Sequence, residues 1–341
     1  MAAGALELTF RRAGFALAVA LLAAPAKAND STAELATGGL IFVRNEQIEM
    51  RSEDLFISAR EVRVRYVFRN KSKNDVTVLV AFPMPEVRVA NQDTNLALPT
   101  DDPVNLLGFA TKVNGKPVAT KVEQHVFAAG IDRTGLLGSL GVPLAPHLAA
   151  TNKALNRLPR DKWDALIGIG LAEIEQYDQG KGMQSVLSAR WGLRTTFYWQ
   201  QTFPAAAETA IEHRYRPSVG QTSGTVVGMR PAGRNPLLSD YDHKYCIDQG
   251  FLNAVKRAAI AAGDEHEPPF SEERIDYILK TGANWSRPIH DFRLVVDKGD
   301  ARNLVSFCGD GVKKIAPTQF ELRQQNYTPI GDFSVLILKR R

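Results

Sequence analysis

The sequence predicts a mainly β protein built as two β-sandwich-like lobes with helical insertions, α+β overall. Three observations carry that expectation. Val62, Val64, Tyr66 and Phe68 alternate with Arg63, Arg65 and Val67, and Val76, Val78, Val80 and Phe82 alternate again after a polar break. Period-two alternation of β-branched and aromatic residues marks half-buried strands. The plan of strand, Phe-Pro stop and strand recurs at Phe203-Pro204, between Thr195–Phe203 and Thr209–Tyr215. Asn114-Gly115 lies between two further alternating runs, which is the strongest short hairpin signal.

Length and composition set the frame. A chain of 341 residues suffices for one large domain or two ordinary ones, and 44% apolar residues is normal for a globular protein. The formal charge is +5, but Arg11, Arg12 and Lys27 against Glu7 lie in the first 28 residues, so the remainder is nearer neutral. Its charges are interspersed, which speaks against nucleic acid as a partner.

The first 28 residues predict export. Arg11 and Arg12 precede the apolar run Ala13–Ala24, and Ala26-Lys27-Ala28 follows. A basic start, a short apolar centre and an A-x-A site read as a signal peptide cut before Asn29. The run is shorter than the ~20 apolar residues that span a bilayer, so no transmembrane anchor is expected after cleavage. The expected address is periplasmic or secreted, in a bacterium.

Residues 29–124 read as an N-terminal β-sandwich. Leu40–Val43 predicts a short buried strand, and Ile48, Met50 and Leu55–Ser58 predict two more. Val62–Glu86 predicts a long hairpin turning at Asn70–Asp75, because Asn and Asp bond nearby backbone and tolerate left-handed conformations. Phe82-Pro-Met-Pro85 stops its second strand, since proline donates nothing to the ladder. The Pro- and Asp-rich residues 87–105 read as loop. Phe109–Val113 and Val118–Val122 form the second hairpin.

The remainder divides into an insert and a second lobe. Residues 125–192 read as an apolar loop, Gly130–Pro146, followed by a helix capped by Asp161. Trp163, Leu166, Ile167, Leu171 and Ile174 share one face of that helix. Residues 193–341 read as a second β-rich lobe with a helical insert over 246–282. That insert is a helix over Ile247–Ala262, ended by Gly263, and another opening at Ser271-Glu-Glu and ended by Gly282. Residues 218–240 read as loop, and strands at Phe292–Val296, Leu304–Phe307 and Phe333–Leu338 close the chain.

Two resemblances follow from these stretches. The strand, Asn-x-Ser turn, strand, Phe82-Pro-Met-Pro85 and the Val113-Asn-Gly115 hairpin resemble the vault/inter-alpha-trypsin domain over residues 62–124. That family's von Willebrand A metal motif, Asp-x-Ser-x-Ser, does not occur here, so its metal function does not transfer. More broadly, Asn29–Leu40, Arg51–Ser58, the tryptophan strand at Trp199 and His213-Arg-Tyr-Arg-Pro-Ser218 resemble an exported bacterial family known only as domain of unknown function 4424. That resemblance implies a fold and an address, and no catalytic residues.

Motifs for chemistry are sparse. No H-E-x-x-H zinc helix, G-x-S-x-G elbow, S-x-x-K or P-loop occurs, and no cofactor or metal is expected. Gly168-Ile-Gly170 falls inside the expected helix and is no dinucleotide fingerprint. Four weak candidates remain, and for each the structural reading outweighs the functional one. Asp240, Asp242 and His243 could ligate a metal or supply a base and its orienting partner, against a polar loop beside a disulfide. His290 beside Asp291 reads as a strand-edge polar pair, and His213 between Ile211 and Tyr215 as a half-buried structural histidine. Trp199, in Phe197-Tyr198-Trp199, could stack a sugar ring, against core packing. If exposed, the Gly130–Pro146 loop would be an apolar partner site. Cys246 and Cys308 pair more readily than they stay free in an exported protein, which would pin the helical insert to a sheet.

The expected function is therefore an exported, non-catalytic binding or structural envelope protein whose partner is an envelope protein or a glycan. The alternatives are an envelope hydrolase acting on glycan or peptide, and a carbohydrate-binding module. A cleft lined by two close carboxylates, or by a histidine and a carboxylate with shifted pKa, would favour the hydrolase. An exposed Trp199 on a concave face would favour the sugar binder.

Overall fold

In the computed structural model, Val62–Glu86 folds as a corner between two sheets and not as the expected hairpin. Residues 31–341 are described, apart from 37–38, 89–94, 179, 181, 229–235 and 265, so the expected signal peptide over 1–28 lies outside the described residues. Strands are numbered along the chain. β4 (Val62–Asn70) pairs with β3 (Ile48–Ser58) and β15 (Glu208–Tyr215), whereas β5 (Val76–Pro83) pairs with β1 (Ser31–Ala36) and β14 (Gly192–Phe203). The reason is where the turn's polar groups go. The Asn70 side chain donates to Asn74 O at 2.8 Å and to Phe203 O at 2.9 Å, and its Oδ1 accepts from Ser72 N at 2.8 Å. Ala206 N donates to Ser72 O at 3.1 Å and Ala205 N to Asp75 Oδ1 at 2.8 Å. The Asn-Lys-Ser-Lys-Asn turn is thus bonded to the turn after Phe203-Pro204, where the chain crosses back from β14 to β15. Two corners of opposite sense lie side by side.

Three sheets and a ribbon follow from this. The first is seven-stranded, ordered β11 (Ile131–Asp132), β10 (Lys121–Ala128), β14, β5, β1, β2 (Gly39–Val43), with β6 (Val87–Arg88) also on β14. The second is eight-stranded: β20 (Lys313–Lys314), β21 (Gln319–Tyr327), β18 (Ile289–Asp297), β3, β4, β15, β8 (Ala110–Val113), β9 (Lys116–Val118). Its β3–β18 pair is parallel and the rest antiparallel. The third is five-stranded: β19 (Leu304–Phe307), β22 (Phe333–Arg340), β17 (Phe270–Tyr277), β16 (Val219–Thr222), β7 (Asn95–Ala97). β12 (Ala172–Asp178) and β13 (Met183–Ala189) form a separate ribbon. Each of the three sheets combines strands from the N-terminal region with strands from the C-terminal region, so the two regions share them.

The alternation read from the sequence sorts the side chains. Val62, Val64, Tyr66 and Phe68 of β4 are buried, as are Val80 and Phe82 of β5, and these rows face each other across the corner. Phe82 lies 4.7 Å from the His213 ring, Phe109 4.4 Å from Phe197, and Phe68 5.8 Å from Phe203. The inner face of the eight-stranded sheet is also covered by the third sheet. Tyr66 and Tyr277 bond hydroxyl to hydroxyl at 3.1 Å, and Val335 and Ile337 of β22 join the same core. Leu336 and Leu338, pointing the other way, pack under α5 (Gln249–Ala262) with Val255 and Phe270. β22 is thus buried on both faces. Asp248 caps α5 by accepting from Phe251 N, and Gly263 ends it at φ 86°.

Several expectations are corrected. Ser271-Glu-Glu opens no helix: β17 is a strand, because Glu272 is buried and accepts from Thr225 Oγ1 at 2.7 Å, Val226 N at 3.1 Å and Tyr241 Oη at 2.7 Å. The helix capped near Asp161 is only α3 (Arg160–Gly168), which follows the short helix α2 (Ala149–Asn156). Gly170, at φ 76°, ends it, so Leu171 and Ile174 leave its face and Ile174 sits in β12. Residues 218–240 are not all loop, since β16 lies within them and α4 (Pro236–Tyr245) begins there. The Asn114-Gly115 turn is as expected, with both residues at positive φ, 48° and 77°. Its return strand is shorter, and Val122 belongs to β10 in the other sheet. The Gly130–Pro146 stretch holds the short helix α1 (Thr134–Ser139) and covers the sandwich end, with Leu137, Val142 and Ala145 buried.

Candidate binding groove

The alternation that buries Val62, Val64 and Tyr66 turns Arg63 and Arg65 outward, and the neighbouring strands place a row of charges beside them. Across the eight-stranded sheet, Arg293, Asp54, Arg65, Glu212 and Lys112 stand opposite one another on β18, β3, β4, β15 and β8. A second row, two residues along, holds Val295, Phe56, Arg63, Arg214 and Ala110. Together these rows line a groove of about 710 Å³ on the outer face of the sheet.

Most of its charges are paired, and cations are in excess. Arg293 bonds Asp54 at 3.0 Å and Glu321 at 2.7 Å, which together hold its guanidinium more firmly protonated than usual. Arg65 lies 3.5 Å from Glu212. Arg63 bonds Glu61 at 3.0 Å, and Arg214 bonds the same carboxylate. Like charges directly opposite on adjacent strands repel, and one glutamate bridges this pair. No carboxylate pairs with Lys112 among the described residues. Arg63 also lies over the Phe56 ring, 4.5 Å from its centroid.

The residues singled out from the sequence are not in this groove as side chains. His213 and Trp199 are brought together, but inside. His213 is 2% and Trp199 4% exposed, their rings 5.6 Å apart, and His213 Nδ1 bonds the Thr111 hydroxyl at 2.6 Å. Trp199 presents no face for a sugar. Asp240, Asp242 and His243 sit on α4 and not on a loop, with Asp240 and His243 exposed. His290 is exposed on β18, 3.4 Å from Asn326. Cys246, just past α4, and Cys308, just past β19, form a disulfide with Cα atoms 5.1 Å apart, so the bridge ties the helical layer to the third sheet. Among the described residues no group of three His, Cys, Asp or Glu side chains could hold a metal ion, and no helix is long and apolar enough to cross a membrane.

A second polar cluster went unnoticed in the sequence, although Glu123-x-His125 alternates along one strand face. His125 Nδ1 bonds Asp132 at 2.7 Å and Nε2 bonds Glu123 at 2.5 Å. Partial burial alone would lower the His125 pKa, but the two carboxylates outweigh it and raise it. An imidazole bonded to a carboxylate at both nitrogens is held protonated, so it acts as a clamp and not as a base. Arg194, opposite His125, bonds Glu86 at 2.8 Å, and Arg88 bonds the same carboxylate. Partial burial raises the Glu86 pKa, and these two arginines bring it below the ordinary range.

Comparison with known proteins places the chain. None of the curated proteins matches it. A crystal structure from Legionella pneumophila, described as that of a candidate nutrient binding protein, is similar with a TM-score of 0.44 and 18% identity, over 91% of this chain and 70% of that one. The family profile described as "Domain of unknown function (DUF4424)" matches residues 28–336, so the chain belongs to that family.

Proposed function

We propose that the protein is an exported, non-catalytic binding protein of the bacterial envelope, and that it binds through the groove on the outer face of the eight-stranded sheet. The observation that carries the reading is the open, charge-lined groove built from five neighbouring strands. Its side chains bond one another in pairs across strands, an arrangement that holds charges in fixed positions for a partner. The two carboxylates in the lining, Asp54 and Glu212, are separated by Arg65 and each bonds an arginine. That arrangement suits recognition better than the acid and base of a hydrolase. Export is supported by the basic, apolar and A-x-A segments of residues 1–28 and by the Cys246–Cys308 bridge, which an oxidising compartment maintains.

The test is hydrogen exchange of the mature protein with and without bacterial envelope extract. Binding through the groove slows exchange in β3, β4, β8 and β15. Turnover of cell-wall material, with no slowing in these strands, would refute the proposal. Export is checked separately by N-terminal sequencing of protein recovered from the periplasm or medium. Asn29 is the expected first residue, and an intact leader would overturn that part.

A further inference from the structure

We infer that the ligand of this groove is an extended acidic glycan, a sugar chain bearing repeated carboxylate or phosphate groups. The inference rests on the binding reading above and adds the chemical class. Charge sets the sign. The lining holds Arg63, Arg65, Lys112, Arg214 and Arg293 against Asp54 and Glu212, and Glu61 and Glu321 bond lining arginines from beside it, so cations exceed carboxylates by one, five to four. The excess concentrates on β4, β15 and β8, where one glutamate serves both Arg63 and Arg214 and, among the described residues, no carboxylate pairs with Lys112. An incoming anion completes this set, whereas a cation would meet guanidinium groups.

Spacing and openness favour a chain over a small ion. Arg293, Arg65 and Lys112 recur on every second strand of the row. Neighbouring strands lie about 4.8 Å apart, so a chain laid across them meets a cation roughly every 10 Å. The side chains of Arg63, Arg65 and Arg214 are 55%, 57% and 75% exposed. A small-molecule site encloses its ligand, so this shallow face suits one held by many contacts along its length. Phe56, partly exposed beside the Arg63 guanidinium that lies over its ring, gives the groove a small apolar surface, with Val295 buried next to it. A sugar skeleton has C–H surface to lay on it, and an inorganic phosphate chain has none.

Binding of three probes of matched length is to be measured by calorimetry at about 50 and 300 mM salt: oligogalacturonate, neutral malto-oligosaccharide and inorganic polyphosphate. The expected result is binding of oligogalacturonate that weakens at least tenfold at the higher salt, as screening and counterion release require. The neutral chain should not bind. The Arg63→Ala/Arg214→Ala variant should weaken oligogalacturonate binding at least tenfold and flatten its salt dependence. A control variant with the same charge loss elsewhere, Lys153→Ala/Arg302→Ala, should leave it unchanged. Urea midpoints of both variants verify folding. Equal binding of the neutral chain, equal loss in the control variant, or no oligogalacturonate binding at low salt would each overturn the inference. So would polyphosphate binding with oligogalacturonate inert. Slowed exchange in the groove strands with envelope extract, alongside any of these failures, would leave the binding proposal standing and reject only the ligand class.

Discussion

Replacing Asn70 with alanine tests the paired corners directly. The Asn70 side chain is fully buried and makes three hydrogen bonds, to Asn74 O, to Phe203 O and from Ser72 N. The bond to Phe203 O is buried, and the other two are partly so. A buried polar group left without a partner costs about 1–3 kcal/mol, and an ordinary hydrogen bond contributes about 0.5–1.5. One stranded buried carbonyl and two partly wetted groups therefore predict a loss of about 3 kcal/mol. Asn70→Asp should cost more at neutral pH, because it sets a buried carboxylate against the carbonyls of Asn74 and Phe203. That excess should shrink on acidification as the carboxyl takes up a proton and regains a donor. Asn74→Ala is the control, since Asn74 contributes its backbone oxygen and its side chain is exposed. The assay is urea unfolding of the oxidised protein by circular dichroism, reading the midpoint at unchanged slope. A change within about 0.5 kcal/mol for Asn70→Ala, the scale of an ordinary surface substitution, would refute the claim that this side chain holds the corners together.

Other expectations can be checked on the same protein. Removing the bridge with Cys246→Ser/Cys308→Ser should cost about 4 kcal/mol by chain entropy for a separation of 62 residues, and thiol titration of the unfolded, unreduced parent should find no free thiol. Gly192→Ala should destabilise by roughly 1 kcal/mol, because a Cβ there would overlap the Glu86 carboxyl and displace it from Arg88 and Arg194. A Glu86→Ala background should remove most of that cost, and an additive double mutant would reject the mechanism. The His125 clamp has a signed pH dependence. Its pKa is raised above 6.5, so its stabilisation is fully present below 6.5 and lost as pH rises through the folded value. Burial raises the Asp132 pKa, but Thr134 and His125 bring it below 3.8, so its share is present above 3.8 and lost as pH falls through the folded value. Wild type should therefore exceed His125→Gln by about 1 kcal/mol between those limits. The gap should narrow on either side, and one constant from about pH 5 to 9 would contradict the assignment.

What could be read from the sequence was local. The alternation at 62–68 and 76–82 identifies β4 and β5 and their buried faces, because that pattern depends only on the period of a strand. Their partners depend on where Asn70 and Asp75 send their hydrogen bonds, and those acceptors and donors lie about 130 residues later, at Phe203 and Ala205. A polar six-residue break is compatible with a hairpin or a corner, and nothing local decides between them. β21 was missed for a related reason. Among Gln319–Tyr327, Phe320, Leu322 and Tyr327 are the apolar residues, and Glu321, Arg323 and Gln325 make the run look like solvated chain until β18 is set beside it. Ser271-Glu-Glu failed because helix-start signals are weak priors, and the tertiary bonds to Glu272 overrode them.

The groove was invisible for a reason that also explains why it exists. A strand with Val62, Val64 and Tyr66 turned inward leaves positions 63 and 65 free of packing constraints, so arginines there say nothing about function by themselves. They become informative only once β15 and β8 are placed against β4, setting Arg214 opposite Arg63 and Glu212 between Arg65 and Lys112. The double corner does this placing. It fixes the register Glu208↔Arg69 at one end of β15, and antiparallel pairing then carries that register along to Glu212 and Arg214. A one-residue slip would turn His213 out and Arg214 in, burying a charge where aromatic rings now pack. Core and groove are therefore specified together. A substitution that loosens the corner without unfolding the protein should disturb the outer charge rows and the packing around His213 together, since both depend on the register of β15.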